Sequence, residues 1–415
     1  QKHPPIGSSS FLCPLHVFAF MLMERPPALQ EHEPKSKRVK VAATHAIQVG
    51  TAPEYFLAGD KQQAKRQLEV AKASCIQKTV ARMRREGTLQ EFVSDLLGVA
   101  PVLVTGSSGY LGSALMEVCR AHGIACIGFD LARASTTDYL GCVSDVCALR
   151  KAAFTCKSII HTAALHAPNL DFYSAEDYER VNVCGTQNAI ALVKEMHMLG
   201  MVFSSTTSLM NTAEVKLRAC SQTVVQVVTT DYGTPRNIYG VTKKSAERAC
   251  LRDKGLNVAI LRCSRFFAED AYDTGAAQQD RRICEENGNV KANELLCGSR
   301  SSLEDMVMAH LISLVRVCKA VDAVQASAGR ILLGPLIISS ISPLLESAKE
   351  DGCISVQDPP FYKQLGWSPP ARISRILDSR ETWAALAWTP RWSFARLAEE
   401  AESAGGSEIV KTGCY

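Results

Sequence analysis

A tyrosine and a lysine lie four residues apart in the stretch Tyr239-Gly-Val-Thr-Lys243. Residues at positions i and i+4 share one face of a helix, so a helix here brings the two side chains together. An adjacent ammonium stabilises a phenolate, so Lys243 is expected to lower the pKa of Tyr239 below its free value of about 10. Such a pair can exchange a proton with a substrate hydroxyl or carbonyl while a nicotinamide cofactor takes or gives a hydride. The spacing alone is weak evidence, because it requires only that the two residues be neighbours on a helix.

A glycine-rich segment upstream supports that interpretation. It runs from Thr105 to Gly112 and directly follows the apolar run Pro101-Val-Leu-Val104. In a strand-to-helix turn, the first glycine permits the tight turn, the second lets the backbone approach a pyrophosphate, and the third allows close helix packing. Phosphates then bind the free N–H groups at the helix start. A purely structural turn would not require this spacing. The cofactor contacts predicted in this segment are Gly106, Ser108, Gly109, Tyr110, Leu111 and Gly112.

An acid, Asp130, ends the next apolar run, about 20 residues after the glycines, where a carboxylate accepts hydrogen bonds from a ribose. A carboxylate at this position repels a 2′-phosphate, which favours NAD over NADP. Arg133 keeps NADP possible, because its guanidinium could bind that phosphate. The alternative for Asp130 is a helix cap or a surface acid.

Short apolar segments alternate with helical patterns from Pro101 onward, until about residue 265. This alternation predicts βαβ units and a parallel sheet covered by helices on both faces. The predicted strands are Val102 to Thr105, Ala125 to Asp130, Ser158 to Thr162, Met201 to Ser205 and Val258 to Cys263. The predicted fold is therefore α/β, a Rossmann-type doubly wound parallel sheet with a smaller C-terminal substrate-binding lobe and an N-terminal helical or disordered extension.

The predicted domain bounds follow from these changes of pattern. They are a flexible leader at 1–59, a helical extension at 60–99, an NAD(P)-binding Rossmann domain at 100–265, a substrate-binding lobe interleaved with it at 266–400, and a tail at 401–415. A chain of 415 residues is too long for one ordinary core, which agrees with two or three packed units.

Composition limits the partners and the compartment. The 46 basic residues against 42 acidic residues leave a formal charge of +4, too small to indicate nucleic acid or a membrane surface as the main partner. The 16 cysteines are scattered and include no CxxC pair, which predicts reduced, mostly buried thiols, Cys184 and Cys263 among them, in a cytoplasmic protein. No apolar run has the length of a membrane-spanning helix, and the run from Phe11 to Met23 is a poor signal peptide because Pro14 and His16 interrupt it.

The segment before the first predicted strand has two features of its own. The basic stretch Pro34-Lys-Ser-Lys-Arg-Val-Lys40 is similar to a nuclear-import patch, although such runs are common in solvated linkers. Apolar residues at helical spacing predict an amphipathic helix from Asp60 to about Arg85, ended by Gly87. Thr88-Leu-Gln-Glu91 then has the form of a capping box that opens a second short helix.

Further motifs follow the glycine loop in a fixed order. They are Ser144-Asp145-Val146, His161-Thr-Ala-Ala164, Val181-Asn182-Val-Cys-Gly185-Thr186, Phe203-Ser-Ser-Thr-Thr-Ser208 and Leu261-Arg262. Together with the glycine loop and the Tyr239/Lys243 pair, this series resembles the extended short-chain dehydrogenase/reductase superfamily, in particular its NAD-dependent epimerase/dehydratase family. The resemblance spans residues 101 to about 395.

The resemblance implies a role for each matching residue. Asp145 matches the acid that contacts the adenine amino group, with Val146 beside it in the cofactor site. Ala163 and Ala164 match the small residues next to the cofactor. Asn182 matches an asparagine that mainly ties strands together.

The resemblance also completes the catalytic set. Thr206 matches the catalytic Ser/Thr that hydrogen-bonds the substrate oxygen, while Tyr239 and Lys243 match the catalytic pair. Lys243 would also hold the nicotinamide ribose. The alternative for Thr206 is a strand-end threonine that satisfies backbone groups, and Thr207 and Ser208 compete for its role.

Three departures from the family pattern concern substrate handling. Met210 stands where epimerases and dehydratases often have a tyrosine. Arg300-Ser-Ser-Leu303, ahead of Glu304-Asp305, replaces a Val-Asp pair before a helix. Ala387 replaces a glycine in Leu386-Ala-Trp388-Thr-Pro390.

The function expected is an NAD(P)-dependent oxidoreductase of the epimerase/dehydratase type, which transfers hydride at a hydroxyl or carbonyl carbon of a sugar nucleotide or similar small molecule. Two alternatives stay open: a non-catalytic dinucleotide-binding sensor or assembly subunit, and a carbonyl or steroid-type reductase on the same fold. The resemblance makes a homodimer possible. No metal is expected, since His161 and His166 lack an acidic partner at ligand spacing and are interpreted as hydrogen-bonded structure.

Overall fold

The structure is a computed structural model that describes residues 59–210, 226–228, 232–267, 292–319, 330–345, 368, 375–391 and 393. The predicted leader up to residue 58, the basic patch at 34–40, the tail at 401–415 and much of the predicted substrate lobe lie outside the described residues. No helix in the described ranges has the length and apolar character that crossing a membrane requires.

A seven-stranded parallel sheet forms the centre of the fold. Its strands are β1 (Val102–Thr105), β2 (Cys126–Asp130), β3 (Tyr139–Leu140), β4 (Ser158–His161), β5 (Gly200–Thr206), β7 (Val258–Cys263) and β10 (Leu332–Ile338). They lie in the order β10-β7-β5-β4-β1-β2-β3. The predicted Rossmann-type fold and its five strands are confirmed, with strand ends shifted by a residue at most.

The strands are buried on both faces because their side chains alternate between two apolar cores. Val102 and Val104 of β1 pack into one core, whereas Leu103 packs into the other. Strands β5 and β7 repeat this alternation. A strand covered on both faces appears in sequence as a continuous apolar run, which is the pattern observed here.

Helices cover both faces of the sheet. They are α1 (Gly59–Glu86), α2 (Val93–Val99), α3 (Tyr110–Ala121), α4 (Val146–Ala153), α5 (Ala175–Tyr178), α6 (Gly185–Glu195), α7 (Ile238–Arg252), α8 (Leu303–Lys319) and α9 (Arg380–Leu386). Helices α1, α2, α3 and α8 contribute to the first core, and α4, α6 and α7 to the second. A π-helical turn, Glu179–Cys184, joins α5 to α6.

The expectation that the alternation ends near residue 265 was wrong. Helix α8 packs under the sheet, and β10 pairs in parallel with β7, adding an edge strand. Two small parallel sheets lie outside the main one: β8 (Arg265–Phe267) with β9 (Arg300–Ser302), and β6 (Gln226–Val228) with β11 (Arg375–Leu377).

The N-terminal extension forms the helix predicted from Asp60 to about Arg85, and Gly87 ends it with a φ of +65°. The capping box predicted at Thr88 was wrong. The Thr88 hydroxyl reaches Glu304 of α8 at 3.5 Å, and the following 3₁₀ turn, Gln90–Phe92, has no side-chain cap. A tertiary contact has therefore replaced the local one.

One cysteine differs from expectation, and two tryptophans lie in or against the first core. The described cysteines are free thiols, but Cys184 is exposed rather than in the core, because it lies at the outer face of the π-helical turn. Trp383 is buried and Trp388 packs against the same core, whereas Trp392 lies outside the described residues.

Candidate functional site

The first turn of the glycine loop requires glycine. Gly106 has a φ of +74°, a left-handed conformation that favours glycine, and its N–H donates to Phe129 O at 2.8 Å. A Cβ at this position would lie 2.7 Å from Thr162 Oγ1 and 2.8 Å from Ala163 N. The backbone after β4 therefore packs directly against the loop.

The rest of the loop leaves a cradle at the start of α3. A Cβ at Gly112 would lie 2.0 Å from Gly106 O, and one at Gly109 would lie 3.1 Å from the same oxygen. Gly109 precedes α3 without a side-chain cap, and the start of a helix is a favourable position for an anion. These features fit a dinucleotide pyrophosphate.

The other loop residues contribute through their backbone or by packing. Ser108 N donates to Asp130 Oδ2 at 2.9 Å. The Tyr110 side chain points away from the cradle, since its hydroxyl donates to Cys75 Sγ of α1 at 2.9 Å. Leu111 is buried in the first core.

Asp130 lies at the carboxyl end of β2, beside the loop. Its Oδ1 accepts from Ala132 N at 3.0 Å, while Oδ2 accepts from Ser108 N. The carboxylate thus orders two turns, and each oxygen retains a lone pair for a ribose hydroxyl. Arg133 is exposed close by.

Asp145 caps helix α4, whose first residue is Val146. Its Oδ1 accepts from Cys147 N at 2.9 Å and from Ala148 N at 3.0 Å. Within the described ranges Oδ2 has no hydrogen-bond partner, so the cap and a contact to an adenine amino group are compatible. Ala163 and Ala164 are half-buried after β4, and Ala163 N lies 3.4 Å from Thr105 Oγ1 at the end of β1.

Tyr239 lies in the first turn of α7, which begins there because Asn237 caps it: Asn237 Oδ1 accepts from Gly240 N at 3.0 Å. The Tyr239 side chain is 7% exposed. Burial raises its pKa to about 12, and a hydrogen bond with Thr206 opposes that rise. The expected lowering of this pKa by Lys243 does not occur in this structure, where desolvation dominates.

Lys243 is buried one turn later, with its ammonium directed at β5. Its Nζ donates to Ser204 O at 2.6 Å and lies 4.1 Å from the centre of the Phe203 ring. Burial lowers its pKa to about 8. The ammonium is therefore held by a carbonyl dipole and an aromatic face, close to the end of the strand that carries Thr206.

Thr206 ends β5 and is 7% exposed. Its Oγ1 accepts from Ser208 N at 3.1 Å, so it does satisfy a backbone group, as the alternative expected. The same hydroxyl also interacts with Tyr239. Of the Thr206, Thr207 and Ser208 candidates, Thr206 is the one whose hydroxyl lowers the pKa of Tyr239.

The two histidines of the sequence motifs differ. His161 is buried between Thr105 and Thr186, with Nδ1 2.8 Å from one hydroxyl and Nε2 3.2 Å from the other. Burial, with a smaller effect of Lys243, lowers its pKa to about 3, so the ring is neutral and structural. His166 is exposed, and its ring centre lies 5.6 Å from that of Tyr239. In the described part of the chain, no group of three His, Cys, Asp or Glu side chains could hold a metal.

Asn182 ties the loop after β4 to α7 rather than one strand to another. Its Nδ2 donates to Leu165 O at 3.0 Å and to Thr242 Oγ1 at 3.1 Å, and its Oδ1 accepts from Leu165 N at 2.7 Å. This structural role agrees with the resemblance. It holds the helix of Tyr239 and Lys243 against the carboxyl edge of the sheet.

A buried polar cluster beside these residues was not anticipated. Glu247 and Arg262 form a fully buried ion pair with a 2.6 Å contact, and Glu247 also accepts from Ser205 and Tyr232. The sequence offered two separate signals for it, a glutamate four residues after Lys243 on the same helical face and the Leu261-Arg262 motif. The pairing with Arg262 on β7 is long-range and leaves no local pattern.

The chain matches one known protein family in sequence. The sequence model of the NAD dependent epimerase/dehydratase family matches residues 102–316. A search of curated proteins gives no significant match. A short-chain dehydrogenase/reductase superfamily protein from Agrobacterium tumefaciens with bound NAD is 20% identical, with 75% of this chain and 98% of that chain covered and a TM-score of 0.47.

Two further similar structures are sugar-nucleotide epimerases. UDP-N-acetylglucosamine 4-epimerase from Bacillus cereus is 17% identical, with 73% of this chain and 98% of that one covered and a TM-score of 0.46. UDP-glucose 4-epimerase from Brucella ovis in complex with NAD is 16% identical, with 74% and 98% covered and a TM-score of 0.47. The family model matches more than half of the length of this chain, so the chain belongs to the NAD-dependent epimerase/dehydratase family.

Proposed function

We propose that this protein is an NAD-dependent oxidoreductase of the epimerase/dehydratase type that acts at a hydroxyl or carbonyl carbon of a sugar nucleotide or a similar small molecule. Membership of the family supports the reaction type and NAD as the cofactor. The observation that carries the proposal is that helix α7, with Tyr239 and Lys243, meets the end of the strand that carries Thr206, at the same sheet edge as the glycine loop: Lys243 Nζ donates to Ser204 O of that strand. Parallel strands end at one edge, where α/β enzymes bind their ligands.

Tyr239 is assigned the proton transfer. With a pKa of about 12, its phenol is protonated at neutral pH and can donate to a substrate carbonyl oxygen. Thr206 is assigned to hydrogen-bond the same oxygen and set its position. The reverse direction, oxidation of a hydroxyl, requires the phenolate, which an ammonium brought closer than in this structure would stabilise.

Lys243 is assigned two contacts, to Tyr239 and to the nicotinamide ribose. Both require its Nζ, which in this structure donates to Ser204 O. A bound ribose would offer hydroxyl acceptors in exchange, so the ammonium has partners in either state. NAD would supply the hydride chemistry, accepting a hydride from the substrate carbon or returning it.

The cofactor residues are assigned along the edge from β1 to β4. The cradle of Gly106, Gly109 and Gly112, with the backbone of Ser108, Tyr110 and Leu111, would hold the pyrophosphate. Asp130 would bind the adenosine ribose, while Asp145 and Val146 would contact the adenine. Ala163 and Ala164 would leave room for the cofactor beside Gly106, where a Cβ in place of the glycine hydrogen would lie within 3 Å of the Ala163 backbone.

The substrate is assigned to the carboxyl edge of the sheet, beside Tyr239 and Thr206. Met210, which stands where the family often has a tyrosine, is buried against Leu209, Ile337 and Leu377. It therefore belongs to an apolar cluster, and its thioether cannot donate a proton as a tyrosine could. Substrate chemistry is thus left to Tyr239 and Thr206.

Cofactor release and a substrate panel test the proposal together. The purified protein is denatured, released NAD and NADP are quantified, and turnover of UDP-sugars is compared with that of small ketones. We expect bound or saturable NAD and turnover of at least one nucleotide sugar. Turnover of apolar ketones alone would support the reductase alternative. Tight NAD binding without any turnover, unchanged by Tyr239→Phe, would support the sensor alternative.

A further inference from the structure

The carboxylate of Glu247 is the meeting point of three chain segments next to the candidate catalytic residues. It accepts from Ser205 Oγ at 2.6 Å through Oε2 and from Tyr232 Oη at 2.7 Å through Oε1. Arg262 binds both oxygens through Nε, at 3.2 Å each, and Oε1 through Nη2 at 2.6 Å. Strand β5, strand β7, helix α7 and the segment before α7 are joined at one group.

This group is closed to water, so each of its hydrogen bonds matters. Glu247 and Arg262 are both 0% exposed. A buried carboxylate that loses a donor keeps its desolvation cost without compensation. Ser205 immediately precedes Thr206, and Glu247 lies one helical turn after Lys243. Glu247 is therefore bonded to the residue before Thr206 and lies on the helix that carries Tyr239 and Lys243.

Tyr232 closes the cluster from the segment that leads into α7. Its ring lies 4.7 Å from Arg262 Cζ, 5.2 Å from Lys244 Nζ and 5.3 Å from Arg248 Cζ. Burial and the neighbouring Glu247 carboxylate raise the pKa of its hydroxyl well above the usual value, so the hydroxyl remains a donor.

The residue after Tyr232 connects the same segment to the 3₁₀ turn Thr207–Met210, which directly follows Thr206 and is called the Thr206 turn below. Gly233 N donates to Leu209 O at 2.9 Å, and Lys244 Nζ donates to Gly233 O at 3.1 Å. The ring of Tyr232 also packs against the apolar cluster of Leu209 and Met210. The Thr206 turn and helix α7 are thus tied together through Tyr232 and Gly233.

We propose that Tyr232 is a positioning residue, which holds the Thr206 turn against α7 and so sets the distance between the Thr206 and Tyr239 hydroxyls. It acts through Glu247 and Ser205 and touches neither substrate nor cofactor. Its catalytic consequence rests on the proposed function, whereas its effect on the geometry of the Thr206 turn does not. The competing explanation is that the Glu247–Arg262 pair alone sets this geometry and Tyr232 only covers it.

Tyr232→Phe separates the two, because it removes the donor to Glu247 and keeps the ring on Arg262. The matched control is Ser158→Ala, which also removes a buried hydroxyl, one that donates to Val99 O at 2.8 Å at the amino end of β4. Amide hydrogen exchange is measured on both variants and on the wild type, over peptides covering 204–210 and 232–243.

Tyr232→Phe is expected to speed exchange in both segments roughly tenfold or more, as the loss of a hydrogen bond to a buried charge implies. Ser158→Ala should leave the two segments at the wild-type rate. Equal rates in the wild type and Tyr232→Phe would overturn the proposal. This measurement needs no substrate, so it stays decisive if the proposed function fails.

On any substrate that the wild type turns over, Tyr232→Phe should lower kcat by about 3- to 30-fold and leave the affinity for NAD unchanged. Ser158→Ala should preserve both quantities. A role confined to stability would lower the melting temperature of both variants and leave kcat of the folded enzyme at the wild-type value, which would contradict the positioning role.

Discussion

At the scale of single residues, burial shifts the pKa values of the candidate site. Tyr239 and Lys243 are both almost fully buried. Desolvation raises the pKa of the Tyr239 phenol above its usual value and lowers the pKa of the Lys243 ammonium below its usual value. Each shift favours the neutral form. The sequence predicted that Tyr239 and Lys243 share one helix, because spacing on a helix is local. It did not predict their pKa values, because those depend on the strand and ring packed around them.

The buried ammonium should make stability depend on pH. Below about pH 8, Lys243 is charged in both the folded and the unfolded chain, and the folded chain bears the cost of burying that charge. Between about 8 and 10.5 the folded chain releases this proton while the unfolded chain keeps it, so stability gained from this group rises with pH. Across this pH range, the free energy of unfolding of the wild type should rise on the order of 2 kcal/mol relative to that of Lys243→Met. Urea unfolding of both proteins at several pH values measures it, and a pH-independent difference would show that the ammonium is not desolvated.

Asp130 should control the choice between NAD and NADP. Asp130→Ala removes the carboxylate that repels a 2′-phosphate, so the ratio of the NADP to the NAD dissociation constant should fall by about tenfold. The ratio is the proper readout, because the loss of contacts to Ser108 N and Ala132 N weakens both cofactors. Glu195→Ala, which removes a half-exposed carboxylate paired with Arg150, is the control and should leave the ratio unchanged. Equal affinity of the wild type for both cofactors would refute the assignment.

At the scale of elements, the N-terminal extension is part of the core of the sheet domain. Met83 and Cys75 of α1 are buried against α3 and α8, and Arg82 forms an ion pair with Glu304 at 2.7 Å. The family match begins only at residue 102, so α1 and α2 are additions of this chain to the matched region. They complete the apolar cover over one face of the sheet.

Truncating the buried face of α1 should therefore cost as much as truncating a core residue. Met83→Ala is expected to lower the free energy of unfolding by about 2–5 kcal/mol, because Met83 is 0% exposed. Val70→Ala, at a side chain on the same helix that is 69% exposed, should change it by less than about 0.5 kcal/mol. Denaturant unfolding compares the two, and equal effects would mean that α1 does not contribute to the core.

Sequence patterns predicted elements where the determinants are local. The glycine loop, the five apolar strands and helix α1 are specified by residues within a few positions of each other. Strand β10 was missed because Gly334 and Pro335 interrupt it, and such residues argue against a strand. The structure accommodates them at the edge of the sheet with a register shift between Leu333 and Leu336. The capping box predicted at Thr88 was wrong because the Thr88 hydroxyl interacts with Glu304, a residue that is distant in the sequence.

At the scale of the whole molecule, one geometric fact assembles the site. All seven strands of the sheet run parallel, so the glycine loop after β1, Asp130 at the end of β2 and Thr206 at the end of β5 share an edge. Only β4 separates β1 from β5, which places the glycine loop and the strand that ends in Thr206 roughly 10 Å apart. A dinucleotide laid along this edge reaches from one to the other. The sequence contained each part, and the sheet order supplied their adjacency.

The central claim is that Tyr239 transfers the proton in an NAD-dependent reaction at this edge. The most direct test is turnover of the best nucleotide-sugar substrate by wild type and Tyr239→Phe, alongside the NAD dissociation constant, with the exposed Tyr139→Phe as control. Tyr239→Phe should lower kcat by about 10²- to 10⁴-fold and change NAD affinity little, whereas Tyr139→Phe should match the wild type. Turnover by Tyr239→Phe at the wild-type rate would contradict the claim.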